Sequence, residues 1–198
     1  MNAPVVLEGK PGSAPDRPLP ADAGEVIIAL DDDGAPRPVG KLEAHVRNVR
    51  HRAISVFVFR DGDLLLQQRS ATKYHSPHLW ANTCCSHPRW EESVDDCALR
   101  RLREEMGFSV PLTPFGVVAY QAQVGDLFEN EVVHRYHGRL GSDGPPVVPN
   151  PDEVQEIAWM SLDAILADIA SDPGKYAPWF RIYMREHIDE LRRVAAQS

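Results

Sequence analysis

The pattern of apolar and polar positions predicts a β-hairpin in the first half of the chain. Apolar residues fill most of the runs 53–59 and 64–68, and the turn sequence Asp61-Gly62-Asp63 lies between them. Two such runs joined by an Asp-Gly turn are typical of paired antiparallel strands. The same kind of pattern predicts further strands over residues 25–30, 115–123 and 131–138.

A helical period predicts a charged helix over residues 95–105. Acidic and basic residues recur there three and four positions apart, while Cys97, Ala98 and Leu102 form an apolar stripe. Arg101 and Glu105 are four positions apart and therefore share one face of this helix.

The C-terminal part of the chain is also predicted to be helical. Ser161-Leu162-Asp163 is typical of a helix N-terminus, and Pro178 is typical of the first residue of a further helix. Helical spacing in this last helix groups Phe180, Tyr183, Met184, His187 and Leu191 on one apolar face. A loop is predicted over 141–151, which is rich in glycine and proline. Strands alternating with a few helices indicate an α/β fold built on a mixed sheet.

Composition and charge favour one domain that acts on a small molecule. A chain of 198 residues with 43% hydrophobic content buries one full core, so we expect a single domain over 23–198. Residues 1–22 are rich in proline, glycine, alanine and aspartate without periodicity, which predicts a disordered segment. The formal charge of −8 argues against a nucleic-acid partner and an anionic membrane surface. The acidic balance is compatible with a monomer and with a homodimer.

The cysteines and the apolar runs indicate a cytoplasmic protein. The three cysteines, two of them adjacent, form no disulfide framework, and the N-terminus lacks a basic-then-apolar signal pattern. No apolar run approaches the roughly 20 residues of a membrane span. We therefore expect a reducing compartment and no segment that crosses a bilayer.

The run Thr83-Cys84-Cys85-Ser86-His87-Pro88 combines a thiol with an imidazole. Residues two apart on extended backbone point to the same side, so Cys85 and His87 are predicted to face one pocket. A free cysteine is otherwise usually a small buried apolar residue, which we expect of Cys84 and Cys97. Of the two adjacent cysteines, one must face away from the pocket.

Several residues of metal-ligand type lie near predicted strand ends. They are His45, His51, His87, Glu129 and Glu131. Two carboxylates on the same side of an extended chain repel each other, and a bound cation relieves that repulsion. Three imidazoles with two carboxylates suit zinc or manganese with more than four ligands. In a chain with eight histidines, any one taken alone is more often an ordinary core or surface residue. We assign His134 and His137 to that class.

The basic residues have two interpretations. They are Lys41, Arg69, Lys73, Arg100, Arg101 and Arg103. Most such charges lie on solvated surface. Only a shared anionic partner would gather them into one site.

The stretch Ser86 to Phe108 resembles a Nudix box with substitutions. Ser86 lies at the glycine of the box, Glu92 at its first glutamate, Arg100-Arg101 at its Arg-Glu pair, and residues 104–108 at its end. In the family, the pyrophosphohydrolases use a carboxylate at the position of Arg101 to bind catalytic magnesium. The arginine therefore argues against hydrolysis.

A longer resemblance, from Gly40 to Trp179, is to the type 1 isopentenyl-diphosphate isomerases of the Nudix superfamily, in which the same substitutions occur. The matching motifs, in chain order, are His45, His51-Arg52-Ala53, Trp80 to Pro88, Tyr120, Glu129-Asn130-Glu131 and Pro178-Trp179. The resemblance implies a Nudix-like α/β fold with a mixed sheet between helices. It also implies interconversion of isopentenyl and dimethylallyl diphosphate through a carbocation, in isoprenoid biosynthesis.

The resemblance further implies the roles of the site residues. In such an isomerase the divalent ion, zinc or manganese, is bound by His45, His51, His87, Glu129 and Glu131. A magnesium ion connects the substrate diphosphate to Glu105 and to the backbone carbonyl of Cys85. The residues implied to bind the substrate are Lys41, Arg69, Lys73, Ser86, Arg101 and Trp179. Cys85 and Glu131 transfer the protons, Tyr120 assists Glu131, and Trp179 faces the carbocation.

Two other functions stay open at this stage. A Nudix hydrolase would keep Glu104 and Glu105 for magnesium but would leave Cys85 and Trp179 without a task. A non-catalytic Nudix domain would bind diphosphates and have no turnover to lose when Cys85 is replaced.

Overall fold

The computed structural model describes residues 24–73 and 75–196, so the segment 1–22, predicted to be disordered, lies outside the described residues. The strands of one mixed sheet are β1 (Val26–Leu30), β2 (Pro36–Gly40), β3 (His51–Arg60), β4 (Asp63–Arg69), β5 (Trp80–Ala81), β6 (Cys84–Ser86), β7 (Leu112–Val124), β8 (Leu127–Arg139) and β9 (Val154–Met160). The helices are α1 (Lys41–Val46), α2 (Val94–Met106), α3 (Leu162–Ser171), α4 (Pro178–Glu186) and α5 (Ile188–Ala195). The α/β fold with a mixed sheet is as predicted.

Strand β3 lies at the centre of the sheet. It pairs with β4 and β6 in antiparallel fashion and with β8 in parallel fashion. Ile54, Val56 and Val58 pack on the side of α2, whereas Phe57 and Phe59 pack on the side of α3, α4 and α5. A strand covered on both faces is apolar at nearly every position, which explains the continuous apolar run in the sequence.

The predicted hairpin connects β3 to β4. Asp61 and Gly62 form its loop, with φ of 51° and 87° respectively, and Arg60 pairs with Asp63 across it. Positive φ at both loop residues is the requirement of a type I′ turn, for which Asp-Gly is among the preferred sequences.

Helix α2 matches the predicted charged helix and has well-defined ends. The Ser93 side chain accepts a hydrogen bond from the Asp96 amide at the N-terminus. Gly107 ends the helix in the left-handed region, with φ of 75°. The predicted apolar stripe of Cys97, Ala98 and Leu102 is fully buried.

Three features of the strands and of helix α1 differ from the prediction or were not predicted. Helix α1 is short, six residues, so it has little helical period to detect, and it places His45 on a helix rather than near a strand end. Strand β2 contains Pro36 and Pro38, which a strand tolerates at the edge of a sheet. Strand β9, with a weak burial pattern, pairs with β4 and was not predicted.

The predicted last helix is divided in two. His187 has φ of −125° and ψ of 15°, so it ends α4, and α5 begins at Ile188. The apolar spacing continues across the break because Tyr183, Met184 and Leu191 pack into one core cluster. In the ranges 24–73 and 75–196, no helix combines the length and the apolarity needed to cross a membrane.

Replacement of Gly107 by alanine is expected to destabilise the protein strongly. A Cβ at this position would lie 2.1 Å from the Val148 carbonyl oxygen, and left-handed backbone alone costs an L-residue about 1–2 kcal/mol. Gly34→Ala is the matched control, since Gly34 has φ of +84° but no atom within 4 Å of an added Cβ. Urea unfolding should give a clearly lower free energy of unfolding for Gly107→Ala than for Gly34→Ala. Equal losses would mean that the contact with Val148 does not matter.

Candidate active site

A pocket with an empty volume of about 500 Å³, including its mouth, lies where the sheet meets α2 and α4. All but two of the residues predicted for the site line this pocket. Those that line it are Lys41, Arg69, Lys73, Cys85, Ser86, His87, Arg101, Glu105, Tyr120, Glu129, Glu131 and Trp179. The other two, His45 and His51, are buried beside His87 in an adjoining cluster. The structure therefore brings the whole predicted set together.

The three predicted histidine ligands form a nearly equilateral group. The ring centroids of His45 and His51 are 4.9 Å apart, those of His45 and His87 are 5.0 Å apart, and those of His51 and His87 are 4.9 Å apart. With Glu129 and Glu131, these residues offer five ligand atoms that all lie within 4.8 Å of one another. All five residues are buried, so this ligand cluster is shielded from solvent.

Strand pairing brings the ligand cluster together. The parallel register of β3 and β8 sets His51 opposite Glu131, and two residues earlier on β8 Glu129 points to the same side. His87 directly follows β6, which pairs with β3. Helix α1 adds His45 in its last turn.

Backbone carbonyls determine how two of the imidazoles face the cluster. Nδ1 of His45 donates to the Lys41 carbonyl at 2.7 Å, and Nδ1 of His51 donates to the Val49 carbonyl at 2.7 Å. In the neutral ring this leaves Nε2 with its lone pair. Nε2 of His51 is buried and has no hydrogen-bond partner among the described residues. Inward lone pairs beside two carboxylates fit a bound divalent cation.

The charges of the cluster also suit a cation. Burial lowers the pKa of His87 to about 3, which keeps this imidazole neutral. Burial by itself raises the pKa of Glu131, but the hydrogen bond with His87 and the charge interactions with His87 and His51 together lower it well below the usual value. Oε1 of Glu131 lies 2.8 Å from Nε2 of His87, and the Tyr120 hydroxyl donates to Oε2. Burial, with the Glu131 charge, raises the pKa of Tyr120, so Tyr120 keeps its proton.

The two adjacent cysteines face opposite sides, as predicted. Cys84 is completely buried in the core cluster that contains α2, whereas Cys85 lines the pocket. Sγ of Cys85 lies 3.1 Å from Oδ1 of Asn82 and 3.3 Å from Oγ of Ser55. Burial raises the pKa of Cys85 to about 12, against the lowering effect of the hydrogen bond with Ser55. The thiol is therefore protonated at neutral pH in the ligand-free pocket.

The six basic residues divide into two groups. Lys41, Arg69, Lys73 and Arg101 are buried around the pocket. Arg100 lies outside the pocket and pairs with Glu92 and Glu104, and Arg103 is exposed. Nε of Arg69 is buried and has no hydrogen-bond partner among the described residues, although Nη2 of Arg69 donates to the His75 carbonyl. A buried group of four cations is suited to bind a multiply charged anion.

Glu153 is a site residue that the sequence did not reveal. Its carboxylate pairs with Lys73 and lies 3.1 Å from Arg101, which also pairs with Glu105 at 2.7 Å. Burial raises the pKa of Glu153, but the charges of Lys73 and Arg101 lower it overall. Glu153 is 80 and 52 positions from its two partners along the chain, so no spacing rule links them.

His75 is a second such residue, and it lines the pocket beside Trp179. Its ring lies edge-on to the Trp179 ring at 5.9 Å, and its Nδ1 lies 3.5 Å from Oε1 of Glu129. The Arg69 guanidinium lies 5.3 Å from the centroid of the Trp179 ring. His134 and His137, set aside in the sequence, are half-buried on β8 and take no part in the ligand cluster.

Comparison with known proteins agrees with this geometry. A family model described as NUDIX domain matches residues 49–180. Proteins named isopentenyl-diphosphate Delta-isomerase are similar over most of the chain. The one from Jannaschia sp. (strain CCS1) is 50% identical over 168 residues, which cover 84% of this chain and 95% of that protein. The one from Ruegeria pomeroyi is 47% identical over 171 residues, which cover 85% and 93% respectively.

Solved structures confirm the fold. A Deinococcus radiodurans protein superposes with a TM-score of 0.61 at 16% identity, covering 75% of this chain and 90% of that chain. A MutT protein from Methanosarcina mazei Go1 superposes with a TM-score of 0.57 at 17% identity, covering 71% and 94%. The chain therefore belongs to the Nudix family and, within that family, to the isopentenyl-diphosphate Delta-isomerases.

Proposed function

We propose that this chain interconverts isopentenyl diphosphate and dimethylallyl diphosphate by two proton transfers. The observation that carries the proposal is the arrangement of the pocket. A thiol, Cys85, and a carboxylate–phenol pair, Glu131 and Tyr120, line the same cavity as four buried cations. A hydrolase has no use for the thiol, whereas a double-bond shift needs both a proton donor and a proton acceptor beside the hydrocarbon.

The diphosphate lies among Lys41, Arg69, Lys73 and Arg101. A diphosphate ester carries close to three negative charges, which Arg binds through paired N–H groups and Lys as a compact charge. Glu105 and the Cys85 carbonyl would hold the magnesium ion that accompanies a diphosphate substrate, and this ion would supply positive charge to the phosphate oxygens. Ser86, at the position that is glycine in most Nudix boxes, contacts the same diphosphate.

Zinc or manganese is the ion that fits the ligand cluster of His45, His51, His87, Glu129 and Glu131. When bound, this ion holds Glu131 in position and offsets the repulsion between the two carboxylates. The buried, inward-facing lone pairs described above support this assignment.

The protons move between the protein and two carbon atoms of the substrate. The Glu131–Tyr120 pair gives a proton to the terminal methylene carbon, where a C–H bond forms and the double bond opens. The central carbon becomes a tertiary carbocation. The Cys85 thiolate then takes a proton from the methylene next to the C–O carbon, and that C–H electron pair forms the new double bond. The reverse reaction exchanges the two roles.

The thiol must lose its proton before it can act as a base, and the ionised Glu131 carboxylate takes up that proton, so the reactive form has one proton on the Glu131–Tyr120 side and none on Cys85. The hydrogen bond from Ser55 lowers the pKa of Cys85 and so favours the thiolate, although burial dominates in the ligand-free pocket. Trp179 offers its ring to the carbocation, and a desolvated cation–π contact contributes about 2 kcal/mol. The buried Trp179 ring, with the half-buried His75 beside it, also keeps water away from the cation.

The remaining features of the proposal concern the protein as a whole. Residues 23–198 act as a single domain on a small prenyl diphosphate, as a monomer or a homodimer, without nucleic acid or membrane as a partner. A cytoplasmic location suits the chemistry, since the three cysteines are free and Cys85 must stay a thiol.

Replacement of Cys85 by alanine is expected to abolish turnover and preserve binding. Isopentenyl diphosphate is incubated in heavy water with magnesium and zinc or manganese, and proton NMR follows the dimethylallyl signals and deuterium incorporation. Cys85→Ala and Glu131→Gln should each lose at least about a hundredfold in kcat, since each removes a proton-transfer group. Calorimetry should still detect binding of the diphosphate to Cys85→Ala.

Cys84→Ala is the matched control for this experiment, because it removes a thiol that faces the opposite side of the strand. It should retain turnover. Unchanged substrate with the wild-type protein, or release of phosphate instead of dimethylallyl product, would contradict the proposed function.

Replacement of His51 by alanine is expected to weaken metal binding by at least about tenfold, since it removes a ligand and a contact of Glu131. Zinc competition with a chromophoric chelator measures the affinity, and elemental analysis after dialysis measures the metal content. His134→Ala, on β8 but outside the ligand cluster, should bind zinc as the wild type does. Equal affinities of all three proteins would rule out His51 as a ligand.

Replacement of Arg101 by glutamine is expected to raise the KM for isopentenyl diphosphate by about 10–100-fold, the usual effect of losing a charged hydrogen bond. Arg103→Gln, two residues further along α2 and exposed to solvent, is the matched control and should leave KM unchanged. Steady-state kinetics at saturating magnesium separates the effect on KM from the effect on kcat. A KM for Arg101→Gln equal to that of Arg103→Gln would remove Arg101 from the diphosphate site.

A further inference from the structure

A chain of polar side chains extends from the Cys85 thiol into an otherwise apolar core. Ser55 on β3 is paired with Cys85 on β6, so the two side chains lie next to each other on one face of the sheet. Oγ of Ser55 lies 3.3 Å from Sγ of Cys85 and 3.0 Å from the hydroxyl of Tyr183 on α4. Ser55 is 2% exposed and Tyr183 is fully buried, so solvent does not compete for these hydrogen bonds.

Asn82 determines the direction of the thiol hydrogen. Its Nδ2 donates to the backbone carbonyls of Val56 at 3.0 Å and Cys84 at 3.2 Å. Both partners are acceptors, so the amide cannot be reversed and Oδ1 faces Sγ of Cys85 at 3.1 Å. An amide oxygen only accepts, and the thiol therefore donates its hydrogen to Asn82.

The direction of the other two hydrogen bonds follows from this one. Since the thiol hydrogen is used by Asn82, the contact between Ser55 and Cys85 requires the Ser55 hydroxyl to donate to sulfur. The oxygen of Ser55 then accepts the hydroxyl hydrogen of Tyr183. The chain is ordered in one direction, from Tyr183 through Ser55 to Cys85, and ends at Asn82.

The packing around the Tyr183 ring does not explain why this residue carries a hydroxyl group. The ring lies edge-on to Phe57 at 5.5 Å and to Tyr120 at 6.1 Å, contacts that a phenylalanine would make equally well. A hydroxyl buried in such surroundings is unfavourable unless it is hydrogen-bonded. The bond to Ser55 satisfies this hydroxyl and aligns it with the thiol.

We propose that Ser55 and Tyr183 are positioning residues for the reacting thiol. They hold the sulfur of Cys85 in one orientation, because Ser55, itself held by Tyr183, donates to the sulfur while Asn82 accepts from it. Tyr183 lies one helical turn after Trp179 on α4, so the same helix positions the sulfur and the ring that faces the substrate. This inference rests on the proposed function.

The test uses Tyr183→Phe, Ser55→Ala and the double variant, each assayed for isomerisation with the metal-loaded protein. Tyr183→Phe is expected to lower kcat by about tenfold and Ser55→Ala by at least as much, because a sulfur that is held less firmly is less often in the reactive orientation. KM should stay within about twofold of the wild-type value, because neither residue lines the pocket. The double variant should be no slower than Ser55→Ala, since Tyr183 acts through Ser55.

Tyr176→Phe is the matched control. Tyr176 is 2% exposed and its hydroxyl donates to Asp168 at 2.6 Å, so this variant also removes a hydrogen-bonded hydroxyl from a buried tyrosine. Tyr176 does not line the pocket, and its loss should leave kcat unchanged. Urea unfolding of each variant verifies that the measured protein is folded.

The outcomes separate this inference from the proposed function. Wild-type kcat in folded Tyr183→Phe would overturn the inference alone, and so would a rise in KM without a fall in kcat. Losses that multiply in the double variant would also overturn it, since Tyr183 would then act independently of Ser55. An inactive wild type would overturn the proposed function and this inference with it. If Ser55→Ala does not fold, Tyr183→Phe against Tyr176→Phe decides the question.

Discussion

The parallel pairing of β3 with β8 is the constraint on which the site depends. This register sets His51 opposite Glu131, and the period of two along β8 then directs Glu129 into the same space. Strand β6 adds Cys85 and His87 on the other edge of β3. A shift of one residue in either pairing would turn these side chains to the opposite face. The apolar residues of β3 that pack on both faces of the sheet hold the register, so the core and the site are specified together.

Charge is the second organising feature of the pocket. Four cationic side chains are buried there, which is costly unless opposite charges lie nearby. Carboxylates already accompany three of them: Glu25 near Lys41, Glu153 with Lys73, and both Glu105 and Glu153 with Arg101. The cations of the site are therefore already oriented for a diphosphate, and Nε of Arg69 is buried without a hydrogen-bond partner among the described residues.

The reacting groups occupy contrasting surroundings. The Tyr120 hydroxyl donates to Glu131 beside the ligand cluster, whereas Cys85 lies at the boundary between the pocket and an apolar core. Burial holds the thiol in its protonated form, while the Ser55 hydroxyl and the Asn82 amide oxygen fix the orientation of the sulfur from two sides. Helix α4 connects these regions because it contributes both Trp179 and Tyr183.

The local sequence pattern was sufficient to predict three features: the hairpin at Asp61-Gly62, helix α2 with its apolar stripe, and the opposite directions of Cys84 and Cys85. In each case the cause acts over a few residues: turn geometry, helical period or the alternation of a strand. The resemblance to the family motifs predicted which metal-ligand residues and which basic residues belong to the pocket. The positions of His75 and Glu153, the helix that carries His45, and the contact of Tyr183 with Ser55 were decided by the tertiary structure. These residues meet partners that are up to 128 positions away, and such contacts depend on sheet pairing and helix packing rather than on any local period.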